Sequence, residues 1–376
     1  MSGIYIHIPF CKQACHYCDF HFSTNMRLKD EMVNAICKEL RLRKDYLQSE
    51  IIESIYFGGG TPSLLNEAEL TKIMITISEH FNLSDHAETT LEANPDDITP
   101  LKLKAFYNAG INRLSVGVQS FDPHILKWMN RAHDAQEAMN CLNWIKESDI
   151  SNYSADLIYG IPTGSNQQLL NDIKQLIAFE PNHISAYCLT IEPKTVFGHK
   201  LEKGTLKEVD EELAANQFLI IDETLSKAGY RHYEVSNYCL PGYESFHNNN
   251  YWRGVKYLGI GPGAHSFNGS NRQFNISNNP KYIQSIQQGR LPLQEDLLTK
   301  NDRINEYLMT SLRTAEGIDT NILLSRFNYN FFGENNSIIE SWEAEKLCLR
   351  NENGITLTLK GMLLADKLAA DLFIVD

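Results

Sequence analysis

Residues 11–20 read CKQACHYCDF and place three thiols, Cys11, Cys15 and Cys18, in a C-x3-C-x2-C array. Thiolates bind metals and act as nucleophiles, so the array admits three chemistries. A zinc site needs a fourth ligand, for which His7, His16 and His21 are near in sequence. Zinc sites, however, usually draw on two separated ligand pairs, and no second CxxC or HxxxH occurs in the chain. A nucleophilic cysteine needs a base rather than two neighbouring thiols. An iron–sulfur cluster held by three thiolates leaves one iron open to a ligand from outside the chain. A fourth cysteine two residues on is excluded, because Phe20 stands there.

Further candidates sit at the ends of short apolar runs. Gly58-Gly59-Gly60-Thr61-Pro62 follows SIYFGG; without Cβ atoms its backbone can approach a ligand closely and pair with a zwitterionic head group. Taken by itself, such a triplet before proline is an ordinary turn. Glu92 lies inside the apolar run TTLEAN, where a solvated charge has no place and a carboxylate suits paired ribose hydroxyls. Gln119 ends RLSVGVQ, and Asp156 lies in YSADLIYG. One polar residue in a strand is usually a satisfied core group; three at one sheet edge point to a ligand. Arg131, in MNRAHD, reads by itself as a surface arginine.

The elements that must position these residues follow a βα alternation. Strands are predicted at 4–9, 54–59, 89–94, 113–119, 153–160 and 183–189, with helical patterns between them. Asn66 with Glu69 and Asp134 with Glu137 form capping boxes, and Thr99-Pro100 with Gly110 brackets a helix. Six such units are two short of a closed TIM barrel. They predict an α/β fold, a partial (βα)6 TIM-like barrel with its site at the carboxyl ends of the strands. The division expected is a core domain over 1–225 and a smaller α+β domain over 226–376. Within the latter, 240–280 is rich in Gly, Asn and aromatics and reads as loop, and 300–376 reads as winged-helix-like, with helices over 300–325 and 337–348 and a final strand and amphipathic helix.

Composition sets the bounds. The 376 residues are 43% hydrophobic and 22% charged, enough for a substantial core. A net charge of −13 without a Lys/Arg cluster argues against nucleic acid as the partner. The first residues show no basic leader, and no apolar run reaches membrane-spanning length, so a cytoplasmic location is expected. Cys37, Cys141, Cys188, Cys239 and Cys348 are isolated and read as small buried hydrophobes rather than a disulfide framework.

With Tyr17 before its last cysteine and a place on the loop after strand one, the array resembles the signature of the radical SAM superfamily. That resemblance implies a [4Fe–4S] cluster on Cys11, Cys15 and Cys18, with S-adenosylmethionine (SAM) chelating the fourth iron. The glycine triplet then matches the superfamily's methionine-binding loop, Thr61 replacing its acidic residue. IYIHIPFC, YFGGGTPS, LEANPDD, RLSVGVQSFD and DLIYGIP, spread over residues 4–162, resemble one branch: the oxygen-independent coproporphyrinogen III oxidases and the HemW-type haem chaperones. The resemblance puts Tyr5, Gly59, Gly60, Thr61, Glu92, Gln119, Arg131 and Asp156 at SAM. The oxidase holds two such molecules, with Gly60, Thr61, Gln119, Arg131 and Asp156 towards the second, and one or two remain open for this chain.

Two departures favour the chaperone side: Phe20 replaces the oxidase's fourth cysteine, and the chain starts three residues before the first strand. His247-Asn248-Asn249-Asn250-Tyr251-Trp252 matches the HNxxYW motif of the HemW-like branch, and YLGIGPGAHSF (257–267) continues the likeness. Imidazole is a good axial ligand for haem iron, and Tyr and Trp offer flat faces to a porphyrin. His247, Tyr251 and Trp252 are the haem-binding candidates, with His265 competing. The implied function is haem transfer to respiratory and other haem-dependent proteins; porphyrinogen decarboxylation is the alternative. Haem and its acceptor proteins are the implied partners, with a homodimer and transient membrane contact left open.

Overall fold

The computed structural model describes residues 2–375. Its centre is six parallel strands paired in chain order: β1 (Ser2–Ile8), β2 (Ile52–Gly59), β3 (Leu83–Ala93), β4 (Arg113–Gln119), β5 (Asn152–Tyr159) and β6 (His183–Cys188). Between and after them run α1 (Lys29–Leu42), α2 (Glu67–His80), α3 (Pro100–Asn108), α4 (Pro123–Trp128), α5 (Ala135–Lys146), α6 (Asn166–Ala178), α7 (Val196–Glu202) and α8 (Glu211–Lys227). Both capping boxes close, Asn66 with Glu69 and Asp134 with Glu137. Thr99 caps α3, and the chain leaves that helix through Gly110 at φ +92°. β3 begins six residues before the apolar run that signals it, because its first half is polar and partly exposed.

Strand residues alternate between two environments, as the pleat requires. Ile4, Ile6, Ile8, Ile55, Phe57, Leu91, Leu114, Val116, Ala155 and Leu157 are buried in the principal core. The alternate positions, including Tyr56, Glu92, Arg113, Ser115, Ser154 and Asp156, line a cavity. The inside of the partial barrel is therefore polar.

The sheet continues past residue 225 on both edges. β7 (Arg231–Glu234) and β8 (Asn237–Cys239) add antiparallel beside β6. Between them and the next strand lies the short helix α9 (Phe246–Trp252). β9 (Tyr257–Ile260) lies parallel to β1 on its other side, and β10 (His265–Phe267), β11 (Asn271–Asn275) and β12 (Leu293–Leu297) extend that edge antiparallel. α10 (Asn279–Gln287) packs on this extension against α1. Thus 240–280, whose Gly and Asn content suggested loop, carries one helix and three strands, with Gly242, Gly254, Gly261, Gly263 and Gly269 taking the turns around them.

The remaining chain forms a second core around Leu308, Leu323, Phe331, Ile339 and Leu368. It comprises α11 (Lys300–Leu312), β13 (Ile318–Asp319), α12 (Thr320–Phe327), α13 (Phe331–Ala344), β14 (Cys348–Asn351), β15 (Gly354–Leu357), α14 (Leu359–Met362) and α15 (Ala365–Asp371). Its small antiparallel sheet has the order β13-β15-β14, a winged-helix-like arrangement. The helix expected over 300–325 is two helices, because the chain turns at Gly317 (φ +69°), where a Cβ would overlap the Ile355 carbonyl. The helix expected at 337–348 starts at Phe331, where Asn330 caps it, and the final helix breaks into α14 and α15.

Candidate functional site

One cavity of about 600 Å³ opens at the carboxyl ends of the strands and reaches down the barrel interior. The cysteine loop forms its rim: Cys11, Cys15, Cys18 and Phe20 all line it, and Phe20 is 69% exposed there. This loop is braced from every side. Lys12 pairs with Asp96 at 2.7 Å and also with Asp97. Gln13 donates to Asn130 Oδ1 at 2.9 Å, and Asn130 Nδ2 donates to the Ala14 carbonyl at 2.7 Å. The His16 ring is held by the Trp128 carbonyl at 2.9 Å and packs on Phe197. His7 contacts the His21 carbonyl at 2.8 Å through Nε2, and His21 Nε2 contacts Asn279 Oδ1 at 2.8 Å. The three nearby histidines are thus engaged elsewhere.

Among the described residues, no group of three or more His, Cys, Asp and Glu is placed to hold a single metal ion. A cluster, which takes each thiolate on a different iron, does not need that convergence, so the donor set fits a cluster better than zinc. Burial pushes the Cys11 thiol up to about 12 and Cys18 up to about 11, so a metal must displace protons to bind there.

Arg131, which read by itself as a surface residue, is half-buried under this loop. Its Nη1 reaches Cys15 Sγ at 3.3 Å and the Tyr17 hydroxyl at 3.1 Å; its Nη2 donates to Asn94 Oδ1 at 2.9 Å and the Gly117 carbonyl at 2.8 Å. It ties the ends of β3 and β4 to the cysteines. Gln119 lies beside it with φ +69°, a left-handed backbone unusual for a side-chain-bearing residue.

The carboxylates lie deeper. Glu92 accepts from the Tyr56 hydroxyl at 2.9 Å and from the Gly59 N–H at 3.2 Å. Burial, opposed by these donors, raises its pKa to about 7; burial likewise raises Asp156 to about 6. Asp156 lines the cavity, and its Oδ1 is buried without a hydrogen-bond partner. Gly59 has φ +108°, and a Cβ there would come within 2.5 Å of the His7 ring. Gly59→Ala is therefore expected to destabilise the fold by about 1–3 kcal/mol, read as a lower urea midpoint; an unchanged midpoint would contradict the strain.

Gly59, Gly60, Thr61, Glu92, Gln119, Arg131 and Asp156 thus all line one cavity with the three cysteines. Tyr5 stands behind Gly58, its hydroxyl 3.1 Å from His7 Nδ1. Sequence reasoning missed Tyr56, Asn94, Arg113, Ser115, His183 and Ser185 in the same lining. It also took Cys188 as buried, whereas Cys188 is exposed and lines the cavity; the other four isolated cysteines are buried.

The curated Heme chaperone HemW of Bacillus subtilis (strain 168) is 33% identical over 98% of this chain and 98% of its own length. The chain belongs to the HemW family. Other members are similarly close, such as the Haemophilus influenzae Heme chaperone HemW, 35% identical over 84% of this chain and 83% of its own. A profile of the radical SAM superfamily matches residues 5–176, the part that carries the cysteine loop and most of the cavity. Membership brings with it the superfamily's cofactors, a [4Fe–4S] cluster and SAM. Escherichia coli coproporphyrinogen III oxidase (HemN), described as a radical SAM enzyme, superposes with a TM-score of 0.86, covering 99% of this chain and 90% of its own. At 23% identity that likeness shows a shared fold.

The HemW-type motif HNNNYW forms α9, which packs on β1 and β2 beneath the barrel. His247 is 3% exposed; its Nδ1 is 2.9 Å from Ser54 Oγ, its ring stacks on Tyr56, and its Nε2 is buried without a partner. Tyr251 packs edge-on against it, and Arg313 covers Trp252. None of His247, Tyr251 and Trp252 lines the cavity; within the motif, Asn248 does. His265 is exposed on β10 and stacks on Phe274. Among the described residues, no helix is long and apolar enough to cross a membrane.

Proposed function

We propose that this chain is a haem chaperone on a radical SAM scaffold, binding haem and passing it to haem-dependent proteins such as those of respiration. The observation that carries this reading is the length of the match to the Bacillus subtilis HemW. At 98% of the chain it runs through α9 and the winged-helix-like module as well as the barrel.

In this reading Cys11, Cys15 and Cys18 hold the cluster, which supplies an open iron for the amino-acid end of SAM. Glu92 and Asp156 offer carboxylate oxygens to ribose hydroxyls, and the Gly59–Gly60 backbone and Thr61 receive the methionine part. Arg131, Gln119 and Tyr5 keep the strand ends and the loop in register. His247 would supply an imidazole nitrogen to the haem iron, and Tyr251 and Trp252 would offer their rings to the porphyrin. Because His247 is buried, ligation requires α9 to leave its seat. The protein works in the cytoplasm, as a homodimer that meets haem acceptors at the membrane face.

Haem added to the anaerobically reconstituted chain should give a Soret band. His247→Ala should shift that band and weaken binding by about tenfold or more, ~1.4 kcal/mol, while His265→Ala leaves both unchanged. Absence of a Soret band, with coproporphyrinogen consumed in the presence of SAM, would replace this reading with the oxidase one.

A further inference from the structure

We propose that Arg131 is the counter-charge of the iron–sulfur cluster: its guanidinium, held against Cys15 Sγ, raises the cluster's reduction potential. The proposal rests on the ligand set given above, Cys11, Cys15 and Cys18. It assigns Arg131 a role separate from bracing the loop and from contact with SAM.

The three sulfurs are not equivalent. Cys11 has the Thr61 side chain as a donor, and Cys18 has the Phe20 backbone N–H. Cys15 meets a cation instead: Arg131 Nη1 lies 3.3 Å from its Sγ. The other partners of the guanidinium are neutral. Nη1 also reaches the Tyr17 hydroxyl at 3.1 Å, and Nη2 donates to Asn94 Oδ1 at 2.9 Å and to the Gly117 carbonyl at 2.8 Å. Nε is buried with no hydrogen-bond partner. Asp156 is near enough to feel the charge but is not bonded to it. Lys12, the loop's other cation, is taken by Asp96 and Asp97, and Asp19 is exposed. A half-buried guanidinium among neutral groups calls for an anion, and three thiolates supply one.

The fold, rather than the thiol, sets this contact. On either side of Cys15 the loop is bonded to the residues just before Arg131. The Ala14 carbonyl accepts from Asn130 Nδ2 at 2.7 Å, and the His16 N–H donates to the Met129 carbonyl at 3.0 Å. The Nη2 bonds fix the guanidinium independently to the ends of β3 and β4. Sulfur and cation are thus held in one frame, which ligation of iron by Cys15 leaves in place.

Hydrogen bonds to the sulfurs and nearby charge are among the levers that set a cluster's potential. On reduction the cluster gains one electron and its net charge falls by one, while Arg131 neither gives nor takes a proton. Its attraction to the cluster therefore grows in the reduced state, and the potential rises. Partly desolvated charges are screened less than surface ones. The neutral donors on Cys11 and Cys18 carry only a dipole and contribute less.

The test uses the full chain, reconstituted anaerobically and free of SAM. Dithionite with mediators delivers the electron, and the reduced cluster is read by EPR. Arg131→Gln should lower the midpoint potential by about 59 mV or more, tenfold in the ratio of reduced to oxidised cluster at a set potential. Arg131→Lys, which keeps a cation, should recover most of that shift, and Thr61→Val should move the midpoint far less than Arg131→Gln does. A mere brace would lower the iron content and leave the potential of the remaining clusters where it was. An unchanged midpoint in Arg131→Gln, or an equal fall in Arg131→Lys or Thr61→Val, overturns the proposal alone. Should Arg131→Gln hold too little cluster to titrate, Asn94→Asp decides. A carboxylate on Nη2 satisfies the guanidinium, so the midpoint should again fall, and an unchanged value overturns the proposal. A wild type that holds no cluster overturns the ligand set and this proposal with it.

Discussion

Cys15→Ala is expected to lower the iron retained after anaerobic reconstitution from about four per chain to near zero, and to abolish SAM binding with it. Three thiols are the minimum that holds a cubane with one open iron, so no ligand is spare. The loop itself should survive the change. Its shape is set by the Lys12–Asp96 pair, the Gln13 and Asn130 amides, and the backbone bonds from Cys11 to Ser23 and from His16 to Met129. Melting of the apo protein should therefore move by no more than about 1 kcal/mol. Iron content and stability separate cleanly in this experiment. Iron held at the wild-type level would remove Cys15 from the ligand set, and a collapse of apo stability would mean that the thiol is a structural group.

The largest effect on folding should come from a residue outside every predicted site. Glu39, on α1, is 0% exposed. It accepts from the Tyr282 hydroxyl at 2.6 Å, the Gly261 N–H at 2.9 Å and Asn275 Nδ2 at 2.7 Å, with Arg43 at 3.6 Å. One carboxylate thus joins α1 to the turn after β9, to β11 and to α10. Burial raises its pKa, and the Arg43 guanidinium opposes that. Glu39→Ala leaves Arg43 buried without its counter-charge and orphans the Tyr282 hydroxyl and the Gly261 N–H, at an expected cost of about 3–5 kcal/mol. Urea unfolding of the apo chain checks this, and a loss below about 1 kcal/mol would contradict it.

Glu39 also shows what the sequence hides. In KDEMVNAICKEL its neighbours mark an amphipathic helix, and nothing local says that this glutamate faces inward. Arg43 is one turn away, but its three hydrogen-bond donors lie more than 200 positions away, beyond the reach of periodicity. The barrel strands were legible because apolar runs separated by capping boxes are local signals. The cysteines and the strand-end residues were legible because such sheets present their sites at one edge. Arg131 was not, since the same letters serve a surface loop or a buried brace. The deeper lining was within reach: stepping back by twos from Gln119, Asp156 and Tyr187 gives Arg113, Ser115, Ser154, His183 and Ser185, the period of the pleat. His247 marks the opposite failure, where a motif gave the residue and only packing gave its burial.

The place of β1 in the sheet bears on how the protein is made. Gly3 pairs with Ser54 on one side and with Tyr257 on the other. The ribosome delivers β9 long after β1, at roughly 5–20 residues per second. For that interval the strand leading into the cysteine loop has a single neighbour and an open edge. Its final pairing closes a loop of most of the chain, the kind of contact that forms late.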